Sequence, residues 1–445
     1  MLHEVVRENL ETFLAQARAR TEHGFGVPRF VEEELRAFIR CGIINHGFAR
    51  VRCGTCRHEF FVAFSCKRRG ACPSCSGRRA AECGAHLGDE VFPKTPTRMW
   101  TLTFPRRLRF ALAKDARLAT TILGIWHRAL ASFYRLLAKK DGFWAMRTGA
   151  VTFVHRFSSS LALNVHFHTV MPDGVFAVPA PDEERASFIA LPPPTTEEVE
   201  HLLTRVVKRV TRCMTRYFEG RSDDVALDAM DALAAASMAT RKDGALERRQ
   251  GRQEAFLEGF SLHAATHLHG NDRAGLERLC RYGARGPLSL GRLTKAADGK
   301  VRYTMKRVIR GKQDLVITGL ELVEKLAVLI PPPRVNLVRY HGVFAPGSKL
   351  RPLVVPASAV KGCPKPDDAT KPDVAENKPP PRDGTLRIDW ASLLKRVFQV
   401  DILACAKCGD RRYPLTRAPM RPIRCRHRGR AHRLRPQSRT PGRFH

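Results

Sequence analysis

The sequence has no run approaching the ~18 consecutive apolar residues that a membrane-spanning helix needs, and its first twenty residues carry no apolar stretch followed by a small-residue cleavage site. Spanning and secretion are disfavoured, and a cytosolic chain is expected. Acidic residues are scarce: 43 Asp and Glu stand against 77 Lys and Arg, a formal net charge of +34. A field of that sign disfavours cationic partners and draws in polyanions, nucleic acid first. Residues 411–445 hold twelve Arg and no Lys, Asp or Glu, yet taking those twelve from +34 still leaves +22, so the basic character is distributed. Charge by itself separates neither DNA from RNA nor binding from catalysis. An internal repeat is also missing, although CxxC recurs three times.

What is present is a chain of 445 residues, long enough for two or three domains. Phe30, Val31, Leu35, Phe38 and Ile39 share one helical face. From Cys41 to about Cys83 the composition turns to Cys, Gly and short alternating runs, and residues 1–90 read as one small metal-stapled domain. Residues 99–104 read as a strand, 115–138 as a helix, and 150–157 and 162–170 as two strands separated by a serine-rich turn. Residues 197–218 and 273–282 read as helices, the first with Leu202, Leu203, Val206, Val207, Val210 and Cys213 spaced for burial. Strand, helix and hairpin together predict an α+β fold with a mixed sheet. A weakly structured insertion is expected over 226–254 and a linker over 361–385, the latter from its Pro, Lys and Asp content.

Thirteen cysteines in a reducing compartment point to metal rather than disulfides. Cys53-Gly-Thr-Cys56 and Cys72-Pro-Ser-Cys75 are two knuckles whose four thiolates are expected to close one structural zinc site, leaving no position for water. Cys66 is a fifth candidate, and a redox CxxC is the competing reading. Lys67, Arg68 and Arg69 follow Cys66 and are candidate phosphate contacts, or a solvated face. The third pair, Cys405 and Cys408, supplies only two ligands, with Cys425 and His427 as candidates to complete it.

In Leu163-Asn-Val-His-Phe-His-Thr-Val170, period-2 alternation sends His166 and His168 to one face and Val165 and Phe167 to the other. Two imidazoles pointing the same way fit a divalent ion with open positions, or a structural pair. A third ligand is needed; His155 and His263 are the candidates, with His263 preferred.

The residues 99–104 strand, the helix, the His-Phe-His strand and the following Pro172-Asp-Gly174 resemble the HUH endonuclease arrangement, in which a bulky apolar residue separates two histidines. The Cys-rich module, Ser65-Cys-Lys-Arg-Arg-Gly70, Leu276-Glu-Arg-Leu-Cys-Arg-Tyr282 and Arg339-Tyr-His-Gly-Val-Phe-Ala-Pro346 stand in the order seen in IS91-family transposases, over roughly residues 25–410. The resemblance implies a central antiparallel sheet with covering helices, an N-terminal zinc-ribbon-like domain, Mg²⁺ or Mn²⁺ as catalytic ion, and a tyrosine that nicks single-stranded DNA through a 5′-phosphotyrosine. It implies a catalytic domain over 91–300, an extension over 301–360 and a C-terminal segment over 386–445. Its partners would be single-stranded DNA at element ends and target DNA, in a bacterial cytoplasm near the nucleoid.

Tyr282 is the expected nucleophile, beside Arg278 and Arg281 as DNA contacts, with Tyr303 and Tyr340 as competitors. Arg278 and Gly286 stand four residues to either side, so a single-tyrosine enzyme is implied. The rival readings are a zinc-dependent DNA-binding protein or inactivated transposase, and a serine, DDE or site-specific tyrosine recombinase. No ordered acidic triad supports the DDE alternative. Residues 411–445 differ from the short apolar ending expected of relatives and read as a divergent tail or a shifted frame.

Overall fold

The computed structural model describes residues 1–20, 24–179, 183–219, 251–309, 311–356, 390–398 and 401–418. Residues 226–250 of the insertion expected over 226–254, the linker over 361–385, and Cys425 and His427 lie outside them. Two compact units emerge: residues 1–41 with 65–404, and residues 42–64 with 405–445. The first ninety residues therefore do not form one body, because the stretch 42–64 pairs with chain from the far end of the sequence. No helix among the described residues is long and apolar enough to cross a membrane.

The larger unit opens with helices α1 (Leu2–Ala19) and α2 (Arg29–Ile39), followed by α3 (Pro73–His86). Its centre is a sheet of β3 (Thr97–Thr103), β4 (Gly149–Phe157), β5 (Leu163–Pro172), β8 (Glu254–Leu257), β9 (Phe260–Leu268) and β13 (Val338–Gly342). The order is β13-β4-β5-β3-β9-β8, with every neighbouring pair antiparallel. The sequence reading of a mixed sheet is corrected to a fully antiparallel one, the form the family resemblance implied. Helices α4 (Arg106–Lys114), α5 (Ala116–Lys140), α6 (Thr196–Glu219), α7 (Arg273–Gly283) and α8 (Gly319–Leu329) accompany it. Short strands β6 (Gly174–Phe176) and β7 (Phe188–Ala190) form a ribbon, and β10 (Leu293–Lys295), β11 (Val301–Ile309) and β12 (Lys312–Ile317) form a further three-stranded sheet. Two helices, α9 (Arg351–Val354) and α10 (Trp390–Phe398), close the unit.

Helix α5 begins where Asp115 accepts hydrogen bonds from the backbone nitrogens of Arg117 and Leu118 at 2.8 and 3.0 Å, satisfying donors that an open helix end leaves unpaired. Its apolar stripe and that of α6 share one core with Trp100, Leu102, Val165 and Phe167 of the sheet. Each such large side chain contributes about 1.5–3 kcal/mol by leaving water. The opposite face carries Met99, Val151, Phe153 and Val170 in a second cluster with Leu276 and Cys280 of α7. Beneath the first face Arg98 is ion-paired with Asp173 at 2.5 Å, both side chains nearly sealed from solvent, while the Tyr134 hydroxyl donates to the same carboxylate at 2.8 Å. The Pro172-Asp-Gly174 motif is explained locally: Asp173 neutralises a buried guanidinium, and a Cβ on Gly174 would stand 2.2 Å from the Ile189 carbonyl oxygen.

In the smaller unit β1 (Phe48–Cys53) lies between β2 (Glu59–Ala63) and β14 (Arg412–Ala418), both antiparallel to it. Part of the stretch expected to be an aberrant tail, residues 412–418, is thus a strand with a partner.

Candidate active site and metal centres

The sheet face opposite the α5–α6 core carries three histidines. His166 and His168 project together from β5 as the alternation requires, and His155 stands directly across from His166 on β4. One ring nitrogen from each of the three lies within 4.8 Å of the others. Each ring is held by its other nitrogen. His166 Nδ1 donates to the Asn164 carbonyl at 2.9 Å, His155 Nε2 donates to the Gly283 carbonyl at 2.5 Å, and His168 Nδ1 is bonded to Thr101 Oγ1 at 3.0 Å. With Nε2–H committed to a carbonyl, His155 presents a lone pair at Nδ1, and that buried atom has no hydrogen-bond partner in the protein. Burial pushes His166 down to about 4 and holds His155 and His168 well below the usual histidine range, so all three are neutral. Neutral imidazoles with oriented lone pairs and outer hydrogen bonds are what a divalent metal ion requires, and the donor set fits one.

His263 is not the third member. It lies on β9 opposite Thr101, but its Nδ1 is paired with Glu254 of β8 at 2.8 Å. The preference for His263 fails because the register sets it against Glu254, whereas β4 sets His155 against His166.

Tyr282 comes from the last turn of α7, and its ring centre lies 5.8 Å from that of His168 and 6.4 Å from that of His155. The helix end is fixed to β4 twice: the Gly283 carbonyl accepts from His155, and Gly283 packs so closely on Phe153 that a Cβ would stand 2.4 Å from that ring. Arg285 lies over the tyrosine ring at 4.6 Å and the Lys306 amine at 4.8 Å. A cleft of about 590 Å³ is lined by His166, His168, Tyr282, Glu254 and His263, with the cationic Arg109, Arg285 and Lys306 around them. The competing tyrosines stand elsewhere: Tyr303 is buried in the larger core, and Tyr340 belongs to the second cluster, where burial pushes its hydroxyl up to about 12.

The expected DNA contacts separate. Arg69 is a strut, its guanidinium donating to the carbonyls of Val335 and Pro332 at 2.6 and 2.7 Å. Lys67 and Arg278 are exposed, and Arg68 and Arg281 are half-buried. Sequence reasoning passed over Lys306, Arg109 and Glu254, which come from strands and helices whose apposition no local pattern announces.

The four cysteines expected to share one zinc do not. Cys72 and Cys75 belong to the larger unit and lie with Cys41 and Cys66, all four sulfurs within 4.8 Å. The sulfurs stand 3.8 Å apart in Cys41–Cys75, 3.4 Å in Cys66–Cys75 and 3.7 Å in Cys72–Cys41. A tetrahedral zinc with sulfur at ~2.3 Å has edges of about 3.8 Å, which these distances match. Cys53 and Cys56 belong to the smaller unit, where they lie with Cys405 and Cys408. Knuckle spacing picks out the pairs, but it carries no information about which pairs meet. Cys41 was missed because it stands alone after α2, in no CxxC.

Residues 149–351 match the family model described as "Putative transposase", and residues 7–104 match the IS91 model described as "Transposase zinc-binding domain". No curated protein and no solved structure matches the chain. The first match spans the strands that bear the three histidines and the helix that bears Tyr282, the second spans the Cys41–Cys75 cluster, and together they place the chain in the IS91 family of transposases.

Proposed function

We propose that this transposase cuts single-stranded DNA at the ends of its element with Tyr282 and carries the cut strand to a target as a tyrosine-linked intermediate. The reading rests on one observation above others: the Tyr282 ring shares a cationic cleft with the histidine cluster, 5.8 Å from His168 between ring centres. The phenolic oxygen of Tyr282 attacks the scissile phosphorus, the bond from phosphorus to the 3′ oxygen breaks, and the 5′ end stays on the tyrosine as a phosphodiester. The phenol gives up a proton and the released 3′ oxygen takes one, so the proton count is unchanged. Attack on that ester by the 3′ hydroxyl of another strand restores the tyrosine and joins the strands without nucleotide hydrolysis, which suits a rolling-circle-like route.

His155, His166 and His168 would hold Mg²⁺ or Mn²⁺, which when bound supplies Lewis-acid polarisation of the scissile phosphate. Arg285, Lys306 and Arg109 line the path of the phosphate and offset its charge. Lys67, Arg68, Arg278 and Arg281 are assigned to the strand further out. The Gly283 carbonyl, held by His155, keeps the nucleophile and the histidines in one frame.

The test is incubation of the purified protein with labelled single-stranded DNA carrying the element end, with and without Mn²⁺. A covalent protein–DNA adduct is expected from the native chain only with metal, and none from Tyr282→Phe or His166→Ala. An adduct that persists in Tyr282→Phe would overturn the assignment of the nucleophile; specific binding with no adduct in any chain would reduce the protein to a DNA-binding module.

A further inference from the structure

In the smaller unit two short stretches at opposite ends of the chain are built alike. Cys53-Gly-Thr-Cys56 fills the turn between β1 and β2, and Cys405-Ala-Lys-Cys408 leads into β14. In each, the first cysteine's N–H donates to the carbonyl five residues on, Cys53 to His58 at 2.9 Å and Cys405 to Asp410 at 2.7 Å. In each, the residue after the second cysteine is left-handed, Arg57 at φ 57° and Gly409 at φ 75°. In each, backbone N–H groups inside the knuckle point at the first sulfur: Cys56 and Thr55 at Cys53, Cys408 and Lys407 at Cys405. The two face one another, with Cys53–Cys408 and Cys56–Cys405 sulfurs both 3.5 Å apart and all four within 4.8 Å. Four cysteine sulfurs at this spacing have the geometry of a closed tetrahedral zinc site.

The packing calls for such a staple. Among the described residues of this unit the buried side chains are Val51, Cys53 and Cys405, while Phe61, Phe64 and Tyr413 are exposed. Among the side chains described in this sheet Val51 is the one buried aliphatic residue, which is far too little apolar burial to offset ordering entropy, and small bodies of this kind fold on a metal.

We propose that Cys53, Cys56, Cys405 and Cys408 bind a second structural zinc ion, so that the zinc-binding part of this transposase extends beyond residues 7–104 and is completed by the C-terminal cysteine pair. The paired sulfurs are 355 and 349 residues apart in the chain, so this site forms only once synthesis has passed Cys408. Truncation before Cys405 leaves Cys53 and Cys56 without their partners and β1 without β14.

The experiment is metal counting on the full-length protein with two readouts. Tightly bound zinc is measured by mass spectrometry after gel filtration, and the protein is separately loaded with Co²⁺ to record thiolate-to-cobalt charge-transfer absorption, which a histidine site does not give. Relative to the native chain, Cys405→Ser/Cys408→Ser and Cys53→Ser/Cys56→Ser should each lose one equivalent of zinc and about half of the charge-transfer intensity, and combining all four substitutions should lose no more. Cys213→Ser and Cys425→Ser should lose nothing. Near-native helical circular dichroism in the double variants would show that the larger unit still folds. Unchanged zinc and absorption in Cys405→Ser/Cys408→Ser would overturn the proposal, as would loss of an equivalent in Cys425→Ser.

Discussion

His155 and His263 illustrate what decides a ligand at the scale of one residue. Both stand on strands of the same sheet, but His263 Nδ1 faces the Glu254 carboxylate at 2.8 Å, whereas His155 keeps a buried nitrogen without a protein partner beside His166 and His168. His155→Ala is therefore expected to weaken Mn²⁺ binding at least tenfold by calorimetry, and His263→Ala to change it less than threefold. The reverse order would return the third position to His263. The legible part was the pair on β5, since strand alternation alone puts two histidines separated by one residue on one face. The third was illegible because it depends on which strand lies beside β5, and no local spacing encodes that.

Among the elements, the end of α7 controls the geometry. Gly283 lets the helix close on Phe153, and its carbonyl accepts from His155, so the position of Tyr282 follows from the absence of a side chain one residue later. Gly283→Ala would force a Cβ to within 2.4 Å of the Phe153 ring. A loss of about 1–3 kcal/mol in stability is expected from that overpacking, together with a fall in adduct yield. Gly291→Ala, whose Cβ meets nothing within 4 Å, should leave both unchanged. Equal melting temperatures for the two variants would show that the contact does not constrain the helix. The helix itself, the strands β4 and β5 and the long helices α5 and α6 were readable from periodicity to within one or two residues. Their apposition was not.

For the whole molecule, the buried histidines set the response to acid. His127, His155, His166, His168 and His341 are all pushed down, chiefly by burial, with His166 and His341 at about 4. A histidine whose folded value is lowered stays neutral while the unfolded chain takes up a proton near pH ~6.5. Stability from these groups is thus present above that pH and falls as pH drops below it, by about 1.4 kcal/mol per unit for each histidine, until the folded value is reached. The metal-free protein should show a melting temperature that declines steeply between about pH 6.5 and 4. A flat profile across that range would contradict the burial of the cluster.

Composition, alternation and CxxC spacing are local properties, and from them the sequence by itself determined a strongly basic chain, cysteine knuckles of a spacing suited to zinc, and a strand with two histidines on one face. The tertiary structure alone decided which knuckles come together and which histidine joins the pair on β5. Cys53 meets Cys408 across 355 residues and His155 meets His166 through strand register, contacts whose free energy comes from closing the chain on itself rather than from any neighbouring residue.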